Sequence, residues 1–196
     1  AAPWLVAAAI HPHADLALVG VGLNPTRTAL IGLLRRMGAD IEIVVRSTIA
    51  GEPVGDIRAR GGTRLHAVEV PADEAPGLID ELPLVAVAMA AADGTSEVHG
   101  AGELRVKESD RVAATVAGLR AIGASVDELP DGWRVSPGAP RAARISAEGD
   151  HRIAIAFAIA ALAGVAQGVE LDDPACVSIS YRDFWDDLAL VQGTAA

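Results

Sequence analysis

A chain of 196 residues that is 51% hydrophobic has ample apolar material for the core of one ordinary domain or two small ones. A formal net charge of −10 argues against broad affinity for nucleic acid or anionic membranes, so any anionic ligand must be held by local basic residues. The aromatics (Trp4, Trp133, Trp185, Tyr181, Phe157 and Phe184) are too scattered for a base-stacking platform, and the single Cys176 excludes an internal disulfide and a cysteine-rich zinc site.

Sparse cysteine fits a reducing compartment, and the expected location is cytoplasmic. No Lys or Arg precedes Arg27, so the apolar N-terminal stretch lacks the basic region of a secretory signal. The longest uncharged run, 153–169, has 17 residues, fewer than the roughly 20 needed to span a bilayer. It reads as a buried helix turning into a strand.

In chain order, 3–11 is apolar on all sides and Ala-rich, which predicts a buried helix. A strand is expected at 16–19. An amphipathic helix follows over 26–37, with Leu30, Leu33, Leu34 and Met37 on one face and Gly38 just past its end. Alternation predicts strands at 40–45 and 65–70. The pattern then restarts: a buried helix at 83–92, an amphipathic helix over 110–122 presenting Val112, Val116, Leu119 and Ile122, Gly123 at its end, and a strand at 132–135. A third buried helix at 152–163 leads into a strand at 169–171.

This recurrence is an internal repeat. Pro3-Trp4-Leu5-Val6-Ala7-Ala8-Ala9 aligns with Pro83-Leu84-Val85-Ala86-Val87-Ala88-Met89 at an offset of 80, which also places Gly20 and Gly22 on Gly100 and Gly102. Leu34-Arg35-Arg36-Met37-Gly38-Ala39 recurs as Leu119-Arg120-Ala121-Ile122-Gly123-Ala124 at an offset of 85, so the second copy carries five extra residues between Gly102 and Leu119. A third copy opens at Asp150, 70 residues after Asp80. The units fall at approximately 1–79, 80–149 and 150–196 of a single domain. Helices covering sheets in repeated α/β (α+β) units, with the most apolar helices innermost, is the expected architecture. An aspartate precedes the buried helix in copies two and three, whereas in copy one it would lie before Ala1. The chain is therefore expected to begin inside an element of a longer polypeptide.

The charge is densest in that insertion, Glu103-Leu104-Arg105-Val106-Lys107-Glu108-Ser109-Asp110-Arg111. It leads from a strand into a helix N-terminus, where free N–H groups and the helix dipole favour an anion. Lys107 and Arg111 flank that start, Ser109 is the expected N-cap, and Glu108 is available for proton transfer. A solvated charged turn is the competing reading. Asp150-His151-Arg152 opens another helix: Asp150 reads as an N-cap, His151 as a structural histidine or a proton donor, and Arg152 needs an anion because a cation in the first turn opposes the dipole. That anion is Asp150 or a ligand. Asp80, in Ile79-Asp80-Glu81-Leu82-Pro83, is either a cap or a base at the same end of the bundle.

Val106-Lys107-Glu108-Ser109-Asp110-Arg111, followed by Asp150-His151-Arg152-Ile153-Ala154-Ile155-Ala156-Phe157, resembles the paired signature of the 5-enolpyruvylshikimate-3-phosphate synthase family. Gly22-Leu23-Asn24-Pro25-Thr26-Arg27, Arg36-Met37-Gly38-Ala39 and Ile79-Asp80-Glu81-Leu82-Pro83 support the resemblance, which extends over nearly the whole chain but matches only the C-terminal part of that enzyme. It implies one domain of a two-domain fold, built from βαβαββ units around buried parallel helices, with the N-terminal domain absent. It also implies transfer of the enolpyruvyl group of phosphoenolpyruvate to the 5-hydroxyl of shikimate 3-phosphate, with loss of phosphate and no cofactor or metal.

By resemblance Asp80 and Glu108 are the catalytic carboxylates, Lys107 contacts shikimate 3-phosphate, and Arg111 and Arg152, with His151 adjacent, bind phosphoenolpyruvate. The expected partners are these substrates and the missing domain, and the fragment alone is expected to be inactive. Two positions depart from the family pattern: Ile179 stands where some members have a lysine, and Arg182 where proline is usual. The alternatives are a non-catalytic anion-binding half-domain and a UDP-N-acetylglucosamine enolpyruvyl transferase.

Overall fold

A computed structural model describes residues 1–193. The elements run α1 (Ala2–Ile10), β1 (Asp15–Gly22), α2 (Ala29–Arg36), β2 (Asp40–Ile49), β3 (Glu52–Arg60), β4 (Glu69–Val70), α3 (Ala75–Leu78), α4 (Leu82–Ala91), β5 (Ser96–Val98), α5 (Arg111–Ile122), β6 (Ser125–Leu129), β7 (Gly132–Ser136), β8 (Ala142–Ile145), α6 (His151–Leu162), β9 (Gly168–Leu171) and α7 (Phe184–Gly193).

The repeat is visible in the backbone. Helix, strand, helix and two antiparallel strands recur over 2–60 and 82–136, and in both copies the last strand is central: β3 between β1 and β2, and β7 between β5 and β6. Gly20 and Gly100, aligned in sequence, share a left-handed φ of 69° and 73°. β4 pairs parallel to β5 across α4, and β8 parallel to β9 across α6, the helical crossovers that parallel strands require.

The three apolar helices are the centre of the domain. α4 is buried from Leu82 to Ala90 and packs against both α1 and α6, which also touch each other. Such a helix needs no amphipathic stripe because no face of it meets water. The starts of α4, α5 and α6 meet at one end, where Arg152 reaches Asp80 and Arg111 reaches Asp150, and Ala1, just before α1, lies near Glu81 there. Ile10, Ala91, Ile122 and Ala163, at or just past the opposite ends of the same four helices, line one groove. α1, α4, α5 and α6 are therefore parallel. The expected faces of α2 and α5 are buried, and Gly38 and Gly123 have the left-handed φ (96° and 107°) that ends a helix. α7 docks on α1 through Trp4, whose ring stacks on Phe184 and whose Nε1 donates to the Tyr181 hydroxyl at 2.9 Å. No helix among the described residues is long and apolar enough to cross a membrane.

Two expected elements differ. The helix predicted over 26–37 begins only at Ala29, because the Asn24 side chain captures the Thr26 N–H at 2.9 Å and shapes a separate 3-10 turn over Pro25–Arg27. Of the strand predicted over 65–70 only β4 forms. His66 donates its N–H to the Met37 carbonyl and Ala67 to that of Asp93, so these groups join helix ends instead of a regular ladder.

α5 approaches α6 closely at Gly118, where an added Cβ would lie 2.1 Å from Phe157 Cζ. Gly118→Ala therefore overpacks this contact, and the expected loss of about 1–3 kcal/mol outweighs the roughly 1 kcal/mol that alanine gains over glycine as a helix former. A lower urea midpoint checks it; an unchanged or higher midpoint contradicts the packing argument.

Candidate functional site

Residues far apart in the chain converge where α4, α5 and α6 begin. Arg111, the first residue of α5, is 2% exposed. Its Nε donates to Asp150 Oδ2 at 2.7 Å and its Nη2 to Glu108 Oε2 at 2.6 Å, while Nη1 lies 3.7 Å from Asp80 Oδ1. Asp150 is wholly buried and accepts from the Arg152 N–H at 2.9 Å, as the expected N-cap of α6, and from the Ser109 hydroxyl at 3.0 Å. Arg152 Nη2 lies 3.2 Å from Asp80 Oδ2, its Nη1 donates to the Asp80 carbonyl at 3.2 Å, and Glu81 Oε1 is 3.7 Å away. Lys107 pairs with Glu103.

Several sequence expectations are refined here. Asp110, not Ser109, caps α5: its carboxylate accepts the Ala113 N–H at 2.9 Å, and the Ser109 hydroxyl turns to Asp150 instead. The anion that Arg152 needs is Asp80, contributed from the start of another helix, with Glu81 behind it. Asp80 caps no helix, since α4 has no side-chain cap; its carboxylate serves two arginines. Lys107 and Arg111 do not form an open pair of cations, because Arg111 lies beneath Glu108 and Asp80 and Lys107 is held by Glu103. Glu81 and Arg105 were not singled out by sequence, although their places beside Asp80 and inside the charged insertion were available signals.

Burial alone would raise the Asp150 pKa, but the Arg111 guanidinium and the Arg152 N–H outweigh it and hold the carboxyl below the usual range. Burial lowers the His151 pKa and the Arg152 charge lowers it further, so the ring is mainly neutral at pH 7. Burial pushes the Glu81 carboxyl up against the pull of Arg152, and the neighbouring Asp80 charge adds to the push.

The cluster is firm beneath and open above. Asp150 and Arg111 are buried, whereas the side chains of Asp80 and Glu108 are 40% and 56% exposed. The arrangement offers carboxylates able to move protons beside guanidinium groups able to hold an anion. Ile179 and Arg182 are both exposed.

Residues 1–188 match the family model for EPSP synthase (3-phosphoshikimate 1-carboxyvinyltransferase). The chain is 50% identical over 186 residues to the 3-phosphoshikimate 1-carboxyvinyltransferase of Synechococcus sp. (strain JA-3-3Ab), covering 94% of this chain and 41% of that protein. It is 47% identical over 188 residues to the enzyme of the same name from Thermus thermophilus, covering 96% and 43%. Among solved structures it superposes on EPSP synthase from Acinetobacter baumannii with a TM-score of 0.86 at 34% identity, covering 96% of this chain and 44% of that one. The enolpyruvyl transferase NikO from Streptomyces tendae, 22% identical with a TM-score of 0.71, shares the fold. The chain thus spans less than half the length of these relatives.

Asp150→Ala leaves Arg111 buried without its main partner, and a loss of about 3–5 kcal/mol is expected in denaturant titration. In the parent chain the Asp150 contribution is present above the unfolded aspartate pKa and is lost as pH falls through its lower folded value. Measured unfolding free energies should therefore decline on acidification more steeply than in Asp150→Asn. Equal slopes would show that this carboxyl does not govern the acid limb.

Proposed function

Since the chain belongs to the EPSP synthase family, we propose that it forms the part of an enolpyruvyl transferase that carries proton-transfer carboxylates and phosphoenolpyruvate-binding cations. The observation that carries this reading is the meeting of Asp80, Glu108, Arg111 and Arg152 at one end of the domain, the two carboxylates exposed above the buried Arg111 and the longest of the connecting ion-pair distances only 3.7 Å. In the proposed reaction the 5-hydroxyl of shikimate 3-phosphate adds to C2 of phosphoenolpyruvate. Asp80 takes the hydroxyl proton and Glu108 delivers a proton to the methylene carbon. The resulting tetrahedral intermediate gives back a methyl proton, to Glu108, and expels phosphate, which takes the proton held by Asp80, restoring the enol double bond. Arg111 and Arg152 hold the carboxylate and phosphate charge, His151 lines the same corner, and Lys107 contacts the shikimate phosphate.

The face also supports a division of labour. Asp80, Glu81, Glu103, Glu108 and Asp150 surround three cations, Lys107, Arg111 and Arg152, so these cations are already paired with carboxylates before any substrate arrives. Two substrates that each carry a phosphate and a carboxylate need further positive charge, which we assign to a second domain closing over this face. In this reading the chain is one domain and is catalytically silent alone.

The test is phosphate release from phosphoenolpyruvate plus shikimate 3-phosphate, with this chain alone and mixed with the N-terminal half of a related synthase. Turnover only in the mixture is expected. In that mixture Glu108→Gln should lower kcat by about 100-fold or more, in the range of lost general acid–base catalysis. Turnover by the chain alone would refute the need for a second domain, and none in either case would refute the catalytic reading.

A further inference from the structure

The charged insertion stands on a brace of its own. Arg105 lies in the 3-10 turn Gly102–Val106, and all three guanidinium nitrogens are engaged. Nε donates to the Pro130 carbonyl at 2.9 Å and Nη2 to the Leu129 carbonyl at 2.8 Å, both at the β6–β7 turn. Nη1 donates to Asp110 Oδ2 at 3.0 Å, the carboxylate that caps α5, and Glu128 Oε1 lies 2.9 Å from Nη2. One planar group therefore ties the hairpin turn to the helix start, and between Arg105 and Asp110 lie Lys107, Glu108 and Ser109, whose side chains pair with Glu103, Arg111 and Asp150.

The first copy of the repeat shows what this replaces. There the Leu23 N–H donates to the Pro53 carbonyl at 2.8 Å and Asn24 Nδ2 to Glu52 Oε1 at 2.7 Å, joining a shorter strand-to-helix connection to its own hairpin. The second copy keeps a backbone link, Ala101 N–H to the Asp131 carbonyl at 2.6 Å. The longer connection then needs a longer arm, and Arg105 supplies it. Next to it Leu104 is wholly buried, whereas Val106 is 81% exposed and Glu108 is exposed, so local burial anchors the turn on one side only.

We propose that Arg105 is a positioning residue: it touches no substrate but fixes the conformation of 107–109, setting the placement of Lys107 and Glu108 over Arg111. This rests on the catalytic role proposed above. Lysine cannot replace it, because a single ammonium cannot make the forked contact to two carbonyls and a carboxylate.

The experiment compares wild type, Arg105→Met and Arg105→Lys by amide hydrogen exchange of the isolated chain and by steady-state kinetics of the mixture with the N-terminal half. Exchange in 102–111 should accelerate about tenfold or more in both variants while exchange in α4 and α6 stays unchanged, as expected of local opening. In the mixture kcat should fall by up to about 100-fold, the scale of a roughly 1 Å misplacement, with a smaller change in KM for phosphoenolpyruvate and no rescue by lysine. Unchanged exchange in 102–111, or wild-type kcat in Arg105→Lys, overturns the inference. If Arg105→Met does not fold, Arg105→Lys decides. An inactive wild-type mixture defeats the catalytic reading separately, and exchange then still settles whether Arg105 holds the turn.

Discussion

The buried pair between Arg111 and Asp150 is the constraint around which the rest is arranged. Removing two charges from water is expensive, and their attraction repays it only when further hydrogen bonds complete the shell. Here most of that shell is present: Asp150 also accepts from Ser109 and the Arg152 N–H, and Arg111 also donates to Glu108, with Asp80 at ion-pair distance. Each added bond fixes a residue of the candidate site. The interaction that stabilises this end of the domain is the same one that brings 80, 107–111 and 150–152 together.

Parallel packing of α1, α4, α5 and α6 explains why polar chemistry sits at one end. Helix N-termini carry partial positive charge, which suits Asp80, Asp110 and Asp150. Arg111 and Arg152 are in the first turns of α5 and α6, where the dipole opposes them, and are retained by carboxylates rather than by helix electrostatics. At the opposite ends of these helices the groove is lined by Ile10, Ala90, Gly123, Pro137 and Gly164 among others, with no charged side chain.

The repeat turns one packing solution to a new use. Both full copies place an apolar helix inside and hang an antiparallel hairpin beside the following strand. The copy with the longer strand-to-helix connection carries Glu103, Lys107 and Glu108, and Arg105 secures that connection to the hairpin. The longer loop brings in charged side chains, and the guanidinium supplies order that loop length removes.

The sequence by itself determined the three buried helices, the faces of α2 and α5, the repeat, and the segments holding the chemistry, because periodicity and the spacing of Pro, Gly and Ala are local signals. The paired motifs also determined the family. β3, β5, β6, β8, α3 and α7 are not placed by sequence: β3 mixes prolyl, glycyl and charged residues whose strand state depends on neighbours on both sides, and β8 is a short segment that forms only by pairing with β9. Tertiary structure alone decided that Asp80 neutralises Arg152, that Asp110 rather than Ser109 caps α5, and that Arg105 reaches the β6–β7 turn. Each of these depends on distance between residues remote in the chain or on a choice between adjacent donors and acceptors, and one-dimensional spacing carries neither.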